Sequence, residues 1–325
     1  MRDGAAPVID AVVIGRNEGA RLTACLASLE GQVRRLVYVD SGSTDGSAEA
    51  ARLAGAEVVD LDMSRPFTAA RARNAGLARL FGAGADFVQL IDGDCVLDRG
   101  WIGTAAAFLS GHPRAAAACG RRRESNPEAS VFNRLCDREW DTPPGETTAC
   151  GGDALMRLDA LSQAGGFDER LIAGEEPELC LRLRRAGWSV WRLDAEMTFH
   201  DADIHRLGQW WQRSRRAGHA FAEGAAMHGN GPERHWVRET RRALIWGAGL
   251  PLAALAGAAV SPWALSLLLA WPAQVVRLAL REGGGRGGWE WAAFTVLGKL
   301  PEAQGVLCYR LGRMRGRRAG LMEYK

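Results

Sequence analysis

The segment FVQLIDGDC, residues 87–95, runs straight from apolar residues into two carboxylates, Asp92 and Asp94. Like charges this close repel, and each raises the pKa of the other. A positive group between them, or water around both, would relieve the repulsion. Other polar residues also gather where apolar runs stop. Asn17 and Glu18 follow the run at 10–14, and DSGSTDG (40–46) follows RLVYV (35–39). Asp92 and Asp94 are therefore one of three polar groups placed in the same way.

The elements that must position these groups alternate. Residues 10–14, 35–39, 56–61 and 86–91 read as strands. Residues 20–29, 47–54, 69–81 and 102–109 read as helices, the first with Leu22, Leu26 and Leu29 on one face. Segments 190–193 and 197–200 read as later strands. Strand–helix alternation with short Gly/Ser/Asp turns predicts an α/β fold whose mostly parallel sheet is flanked by helices. In such sheets ligands bind at the carboxyl ends of the strands. The loops after the first, second and fourth strands should then converge on one edge.

The chain changes character near Trp236. Residues 243–276 form a run of 34 without a charge, interrupted by Pro251, Pro262 and Pro272. One helix of that length would span about 51 Å at ~1.5 Å per residue, well beyond a hydrocarbon core of ~30 Å. Split at Ser261-Pro262, the run gives two short arms. Arg241 and Arg242 flank one outer end, and Arg277, Arg281 and Arg286 the other. That charge pattern fits a hairpin, transmembrane or re-entrant, with both ends on the cytoplasmic side. A buried helical pair in a soluble protein is the alternative. Segments 289–297 and 306–318 mix aromatic, apolar and basic residues, as interfacial helices do. Six basic residues and one acidic lie between Arg310 and Lys325. The expected organisation is a catalytic domain over 1–225, a connection over 226–242, the hairpin over 243–281, and amphipathic helices with a basic tail over 282–325.

A formal charge of +3 over 325 residues gives no general argument for nucleic-acid binding. Seven cysteines, odd in number and without a Cys-x-x-Cys pair, suggest free thiols in a reducing compartment. The first 15 residues read as a first strand and not as an export signal. No Gly-x-Gly-x-x-Gly follows the first strand, against a dinucleotide oxidoreductase. IGRNEG is not the Gly-rich phosphate loop that a nucleotidyltransferase would need.

Taken in order, IGRNEGARLTACLASL, VDSGSTDGSAEAA, ARARNAGL, LIDGDC, GGDALMRLDAL, GGFDE and GEEPELCLRLRRAGW resemble the motifs of inverting family 2 glycosyltransferases of GT-A fold. The resemblance covers roughly residues 8–220. It implies a nucleotide-sugar donor, UDP-linked as in many such enzymes, and a divalent metal, Mg²⁺ or Mn²⁺, on the diphosphate. By resemblance Asp94 is the metal ligand, and Asp92 faces the ribose or reaches the metal through water. His200 completes the metal or diphosphate site. Asp40 binds the nucleobase, with Gly42 and Gly46 letting the backbone approach. Asn17 and Glu18 edge the nucleotide pocket, although Gly15 stands where the family often has Pro. Arg71 and Arg73 meet the nucleotide, and Asp153 binds sugar hydroxyls.

Inversion requires a base for the acceptor hydroxyl. The resemblance puts it at Glu176, where the family usually has Asp, with Glu175 as the rival. Both also suit the dipole of a helix N-terminus, and Pro177 suits the first turn. WWQRSRR (210–216) resembles a segment that closes over the diphosphate in processive relatives, or else it holds the domain on a membrane. The implied activity is a single sugar transfer to a lipid-linked or glycan acceptor at the cytoplasmic face of a bacterial inner membrane. No nucleic acid is involved, and the oligomeric state is open. A polyprenyl-phosphate sugar synthase and a non-catalytic sugar-nucleotide-binding scaffold are the competing readings.

Overall fold

The computed structural model describes residues 6–316. The basic tail beyond Gly316 lies outside the described residues. In chain order the elements are β1 (Ile9–Gly15), α1 (Ala20–Leu29), β2 (Leu36–Asp40), α2 (Ser47–Leu53), β3 (Glu57–Asp60), α3 (Ala69–Ala78), β4 (Phe87–Asp92), β5 (Cys95–Leu97), α4 (Trp101–Gly111), β6 (Ala115–Glu124), α5 (Val131–Glu139), β7 (Gly145–Thr147), β8 (Ala154–Arg157), α6 (Leu158–Ala164), α7 (Glu175–Arg185) and β9 (Ser189–His200). Six α-helices and shorter helical turns follow. The chain divides into two compact units. One holds the residues up to Pro127, Cys136–Leu171 and Glu175–Ala202. The other holds Glu128–Leu135, Ile172–Gly174 and the chain from Asp203 onward.

The first unit is a mixed nine-stranded sheet in the order β3-β2-β1-β4-β8-β6-β9-β5, with β7 paired to β9. The segment β3-β2-β1-β4 is parallel throughout. β8 enters antiparallel to β4 and β6, and β6 runs parallel to β9. The register decides what meets at the edge. Gly15 lies opposite Asp40, Ile14 opposite Asp92, and Cys95 opposite His200. The ends of β1, β2 and β4 are thus level, and the end of β9 is brought beside the turn after β4.

Local sequence explains these elements. β1 is apolar through its middle, and β1 and β4 are buried on both faces, as central strands are. α1 buries Leu22, Cys25, Leu26 and Leu29, one face at helical spacing. The Thr68 hydroxyl caps α3 by accepting from the Arg71 N–H at 3.2 Å. Two polar groups in the core are satisfied. Trp101 Nε1 donates to Gln89 Oε1 at 2.8 Å, and Asp10 takes both ends of the Arg34 guanidinium at 3.0 and 2.7 Å. The two late strands expected from sequence are one strand, β9, whose register against β6 shifts at bulges. β6 begins Ala-Ala-Ala-Ala, which carries little strand propensity, and its pairing is decided by its neighbours.

The second unit is helical: α8 (Leu207–His228), α9 (Val237–Leu244), α10 (Leu250–Ala258), α11 (Ala270–Arg281), α12 (Arg286–Leu297) and α13 (Lys299–Met314). α8 and α13 pack backbone to backbone. A side chain on Gly218 would strike Glu302, and one on Gly305 would strike Arg215 and His219. α9 continues through a π-helical turn (Ile245–Gly249) into α10, and residues 259–261 turn the chain back. The return arm, Pro262–Arg281, has 20 residues with a mean hydropathy of 1.5. Among the described residues it is the one helix long and apolar enough to cross a membrane. Leu252, Leu255, Val260, Trp263, Leu269 and Leu280 of this hairpin are exposed.

Two expectations for this unit need correction. Trp210 lies between Phe132 and Phe294, with ring centroids 6.1 and 5.1 Å away, and Trp211 Nε1 donates to Gln304. The aromatic residues of WWQRSRR therefore pack inside a helical bundle. α12 and α13 also have protein partners: Glu290 of α12 forms a two-pronged bridge with Arg134 at 2.9 and 3.0 Å. Both helices are thus partly packed against protein, while Trp289, Leu297, Leu307, Leu311 and Met314 stay exposed.

Candidate active site

The carboxyl edge of the parallel strands gathers most of the acidic residues singled out from sequence. Asp40, at the end of β2, is buried. Its Oδ1 accepts from the Tyr38 hydroxyl at 3.1 Å, and its Oδ2 from the Gly42 and Ser43 N–H groups at 3.0 and 2.8 Å. These bonds shape the loop after β2, and a carboxylate with four lone-pair sites keeps acceptor capacity beyond them. Asn17, in the left-handed region at φ 56°, ties that loop to β1. Its Oδ1 accepts from Thr44 N–H at 2.7 Å, and its own N–H donates to Ser43 Oγ. Glu18 pairs with Arg21 at 2.9 Å. A Cβ on Gly15 would lie 3.2 Å from the Glu18 side chain and 3.3 Å from Tyr38, so a larger residue there would press on both.

At the end of β4 the two aspartates separate in environment. Asp92 Oδ1 accepts from the buried Arg73 at 2.7 Å, and Arg122 lies 3.7 Å from Oδ2. Burial pushes the Asp92 carboxyl upward, and Arg73 offsets only part of that. Asp94 Oδ2 lies 3.3 Å from His200 Nε2, and the Cys95 thiol points at Asp94 Oδ1 from 3.7 Å. The Trp140 ring stands edge-on to His200 at 4.9 Å. The cation expected between the two aspartates is thus, for Asp92, already an arginine. Asp92 thus faces arginines, whereas Asp94 faces the His200 imidazole.

The fit of a divalent ion to Asp94 and His200 rests on two features. The ligand atoms of Asp94 and His200 lie within 4.8 Å of one another, close enough for one ion to reach both. The donor set is one carboxylate and one imidazole, which suits Mn²⁺ better than the all-oxygen preference of Mg²⁺. Burial pushes the Cys95 thiol well up.

Two sequence-based assignments change. Asp153 is fully buried and cannot meet sugar hydroxyls. Its Oδ2 takes Arg122 at 2.6 Å and the Thr198 hydroxyl at 2.9 Å, and its Oδ1 takes the Asp92 N–H at 3.1 Å. Burial alone would raise it, but Arg122 and these donors together hold it low. Asp153 is a positioning residue for Asp92. Arg71 is not in the carboxylate cluster either. Its guanidinium donates to the carbonyls of Asp62, Arg65 and Pro66, bracing the loop before α3.

Arg73, also buried on α3, bridges Asp92 and Glu175 at 2.7 Å each and lies over the Phe167 ring. Asn74 fixes the loop that carries Phe167, accepting from its N–H and donating to its carbonyl at 2.9 Å each. Gly152 sits against this ion cluster. A Cβ there would come within 2.9 Å of both Arg73 Nη2 and Asp92 Oδ2.

Glu175 and Glu176 open α7 but point to different surroundings. Glu175 is committed to Arg73. Glu176 Oε1 accepts from the Cys150 N–H at 2.6 Å and from the Cys180 thiol at 2.9 Å. Burial raises the Glu176 carboxyl, and those two bonds offset only part of the rise. Arg122, Thr198, Cys150 and Cys180 were not singled out from sequence. Arg122 lies in a run of three arginines on β6, where alternation is the available signal: Arg121 and Arg123 reach Asp137 on one face, and Arg122 reaches Asp153 on the other.

Residues 10–162 match the family model for glycosyl transferase family 2. This region, just under half of the chain, is a glycosyl transferase family 2 domain. It is 26% identical to the succinoglycan biosynthesis protein ExoA of Rhizobium meliloti over 60% of its length and 64% of the relative's. It is 30% identical to a pre-mycofactocin glycosyltransferase of Mycobacterium tuberculosis over 68% of its length and 48% of the relative's. The chain thus spans 64% and 48% of the length of these curated relatives, less than two thirds of either. A crystal structure of S. aureus TarS residues 1–349 aligns with 94% of the chain and 92% of its own, at a TM-score of 0.49 and 15% identity.

Proposed function

We propose that the chain is a metal-dependent inverting glycosyltransferase. It moves one sugar from a nucleotide-sugar, a UDP-sugar, to a lipid-linked or membrane-proximal acceptor in surface polysaccharide or glycolipid assembly. The observation that carries the proposal is the division of labour at the strand edge. One carboxylate–imidazole pair (Asp94, His200) is separate from an arginine-neutralised carboxylate (Asp92), and a further carboxyl (Glu176) is raised by burial. The relative named for succinoglycan biosynthesis supports the polysaccharide context.

Asp94 and His200 would hold the divalent ion, which when bound supplies charge neutralisation for a diphosphate leaving group. Asp40 and the loop tied down by Asn17 would line the nucleobase side. Arg73 and Arg122 fix Asp92 so that it presents one orientation to the ribose. Glu176 would take the proton of the acceptor hydroxyl, and its raised pKa brings it nearer to neutral pH, where a general base works best. Glu175 is the weaker candidate because Arg73 holds it as a paired anion. The hairpin over 243–281 would seat the enzyme on the cytoplasmic face of the bacterial inner membrane, with the basic residues at its outer ends on that side.

The test is a donor screen on membranes containing the full chain, following nucleoside diphosphate release with Mg²⁺ or Mn²⁺, with and without lipid extract. Release should need one donor and a divalent ion. Glu176→Gln should lower kcat by about 10²–10⁴-fold with donor binding intact. Absence of donor-dependent release under either metal counts against the proposal. Full turnover in Glu176→Gln points instead to a phosphate acceptor, which needs no strong base.

A further inference from the structure

Beneath Glu176 lies a group that the transfer chemistry does not use. Cys150 and Cys180 are buried with their sulfurs 3.6 Å apart, and the Cys180 sulfur is 2.9 Å from Glu176 Oε1. The ligand atoms of all three residues lie within 4.8 Å of one another. They come from separate places in the chain. Cys150 precedes the Gly151-Gly152 turn, while Glu176 and Cys180 are one turn apart on α7.

We infer that Cys150, Cys180 and Glu176 form a binding site for a thiophilic divalent cation of the zinc class. The distances carry the inference. Tetrahedral Zn²⁺ with Zn–S of ~2.3 Å separates two sulfurs by about 3.8 Å, close to the observed 3.6 Å. With Zn–O of ~2.1 Å the sulfur–oxygen edge is about 3.6 Å, so the present 2.9 Å contact must open as its S–H···O hydrogen bond is lost. Both thiols lose their protons on binding: M²⁺ + 2 RSH + RCOO⁻ gives M(SR)₂(OOCR)⁻ + 2 H⁺, with no change in oxidation state. Mg²⁺ and Mn²⁺ are hard ions with little affinity for a pair of thiolates and would leave this site alone. The two cation sites would then have opposite consequences, one supporting transfer and one withdrawing Glu176 from it. That last consequence rests on Glu176 being the base; the site itself does not.

Co²⁺ titrated alone into the full-length reduced protein, without donor, tests the site. A thiolate-to-cobalt charge-transfer band should rise to saturation with one equivalent. It should vanish in Cys150→Ser and in Cys180→Ser, and persist in Cys95→Ser, which removes the thiol beside Asp94. No band, or a band lost only in Cys95→Ser, overturns the inference. Should the serine variants not fold, Zn²⁺ X-ray absorption on the wild-type protein decides it: two sulfur ligands at ~2.3 Å support the site, and one or none refutes it. A band accompanied by unchanged turnover under Zn²⁺ keeps the site and removes Glu176 as base.

Discussion

Replacing Arg73 by Met should expose how the carboxylate cluster is held together. The Arg73 side chain is 3% exposed and meets Asp92 and Glu175 at 2.7 Å each. Met fills similar space but leaves two carboxylates facing each other, with Asp153 behind them. Breaking a buried pair by removing one partner costs about 3–5 kcal/mol. For a unit of this size that lowers the melting temperature by on the order of 10 °C. The loss should depend on pH in a definite direction. Asp92 already sits above the usual carboxylate range in the fold, and without Arg73 it rises further. A carboxyl whose folded pKa exceeds its unfolded value of about 4 destabilises the fold above that value and ceases to do so below it. The deficit should therefore grow as pH rises from about 4 and be largest at neutral pH. Thermal unfolding of both proteins at pH 7.5 and 5, followed by circular dichroism, measures this. A deficit under about 1 kcal/mol at pH 7.5, or one equal at the two pH values, would refute the view that Arg73 neutralises buried charge.

Two further variants separate the site from the scaffold. Gly152→Ala should displace Arg73 Nη2 and Asp92 Oδ2, each 2.9 Å from the added carbon. Because both are side-chain ends, the cost in stability should stay near 1–3 kcal/mol while transfer falls more than tenfold, read by melting and nucleoside diphosphate release. Replacing Leu252, Leu255 and Trp263, all exposed on the hairpin, by Ser should abolish co-sedimentation with anionic vesicles. Donor hydrolysis should survive that change, and retained co-sedimentation would argue against the hairpin as the membrane contact.

Sequence reading went furthest where a chain feature is local. Apolar runs that break into polar loops marked the ends of β1, β2 and β4, and acidic residues before a helix marked Glu175 and Glu176. It went wrong where a role depends on a distant partner. Asp153 reads as an available carboxylate until Arg122, 31 residues away, is found closing it off. Arg71 and Arg73 look alike in sequence, yet one braces a loop through carbonyls and the other carries the ion cluster. The three arginines of β6 carry no functional motif of their own, and only strand pairing turns Arg122 inward. Cys150 and Cys180 are 30 residues apart and meet only because α7 packs beneath the Gly151-Gly152 turn. WWQRSRR has the composition of a membrane or phosphate contact, but the small residues along α8 let α13 pack closely against it.

The central claim is that Asp94 and His200 hold a divalent ion that a nucleoside diphosphate needs. Calorimetric titration of UDP into the full-length protein measures this without knowing the acceptor. Binding in Mn²⁺ should weaken at least tenfold in EDTA, and to the same extent for Asp94→Asn in Mn²⁺. Equal UDP affinity under all three conditions would contradict the account.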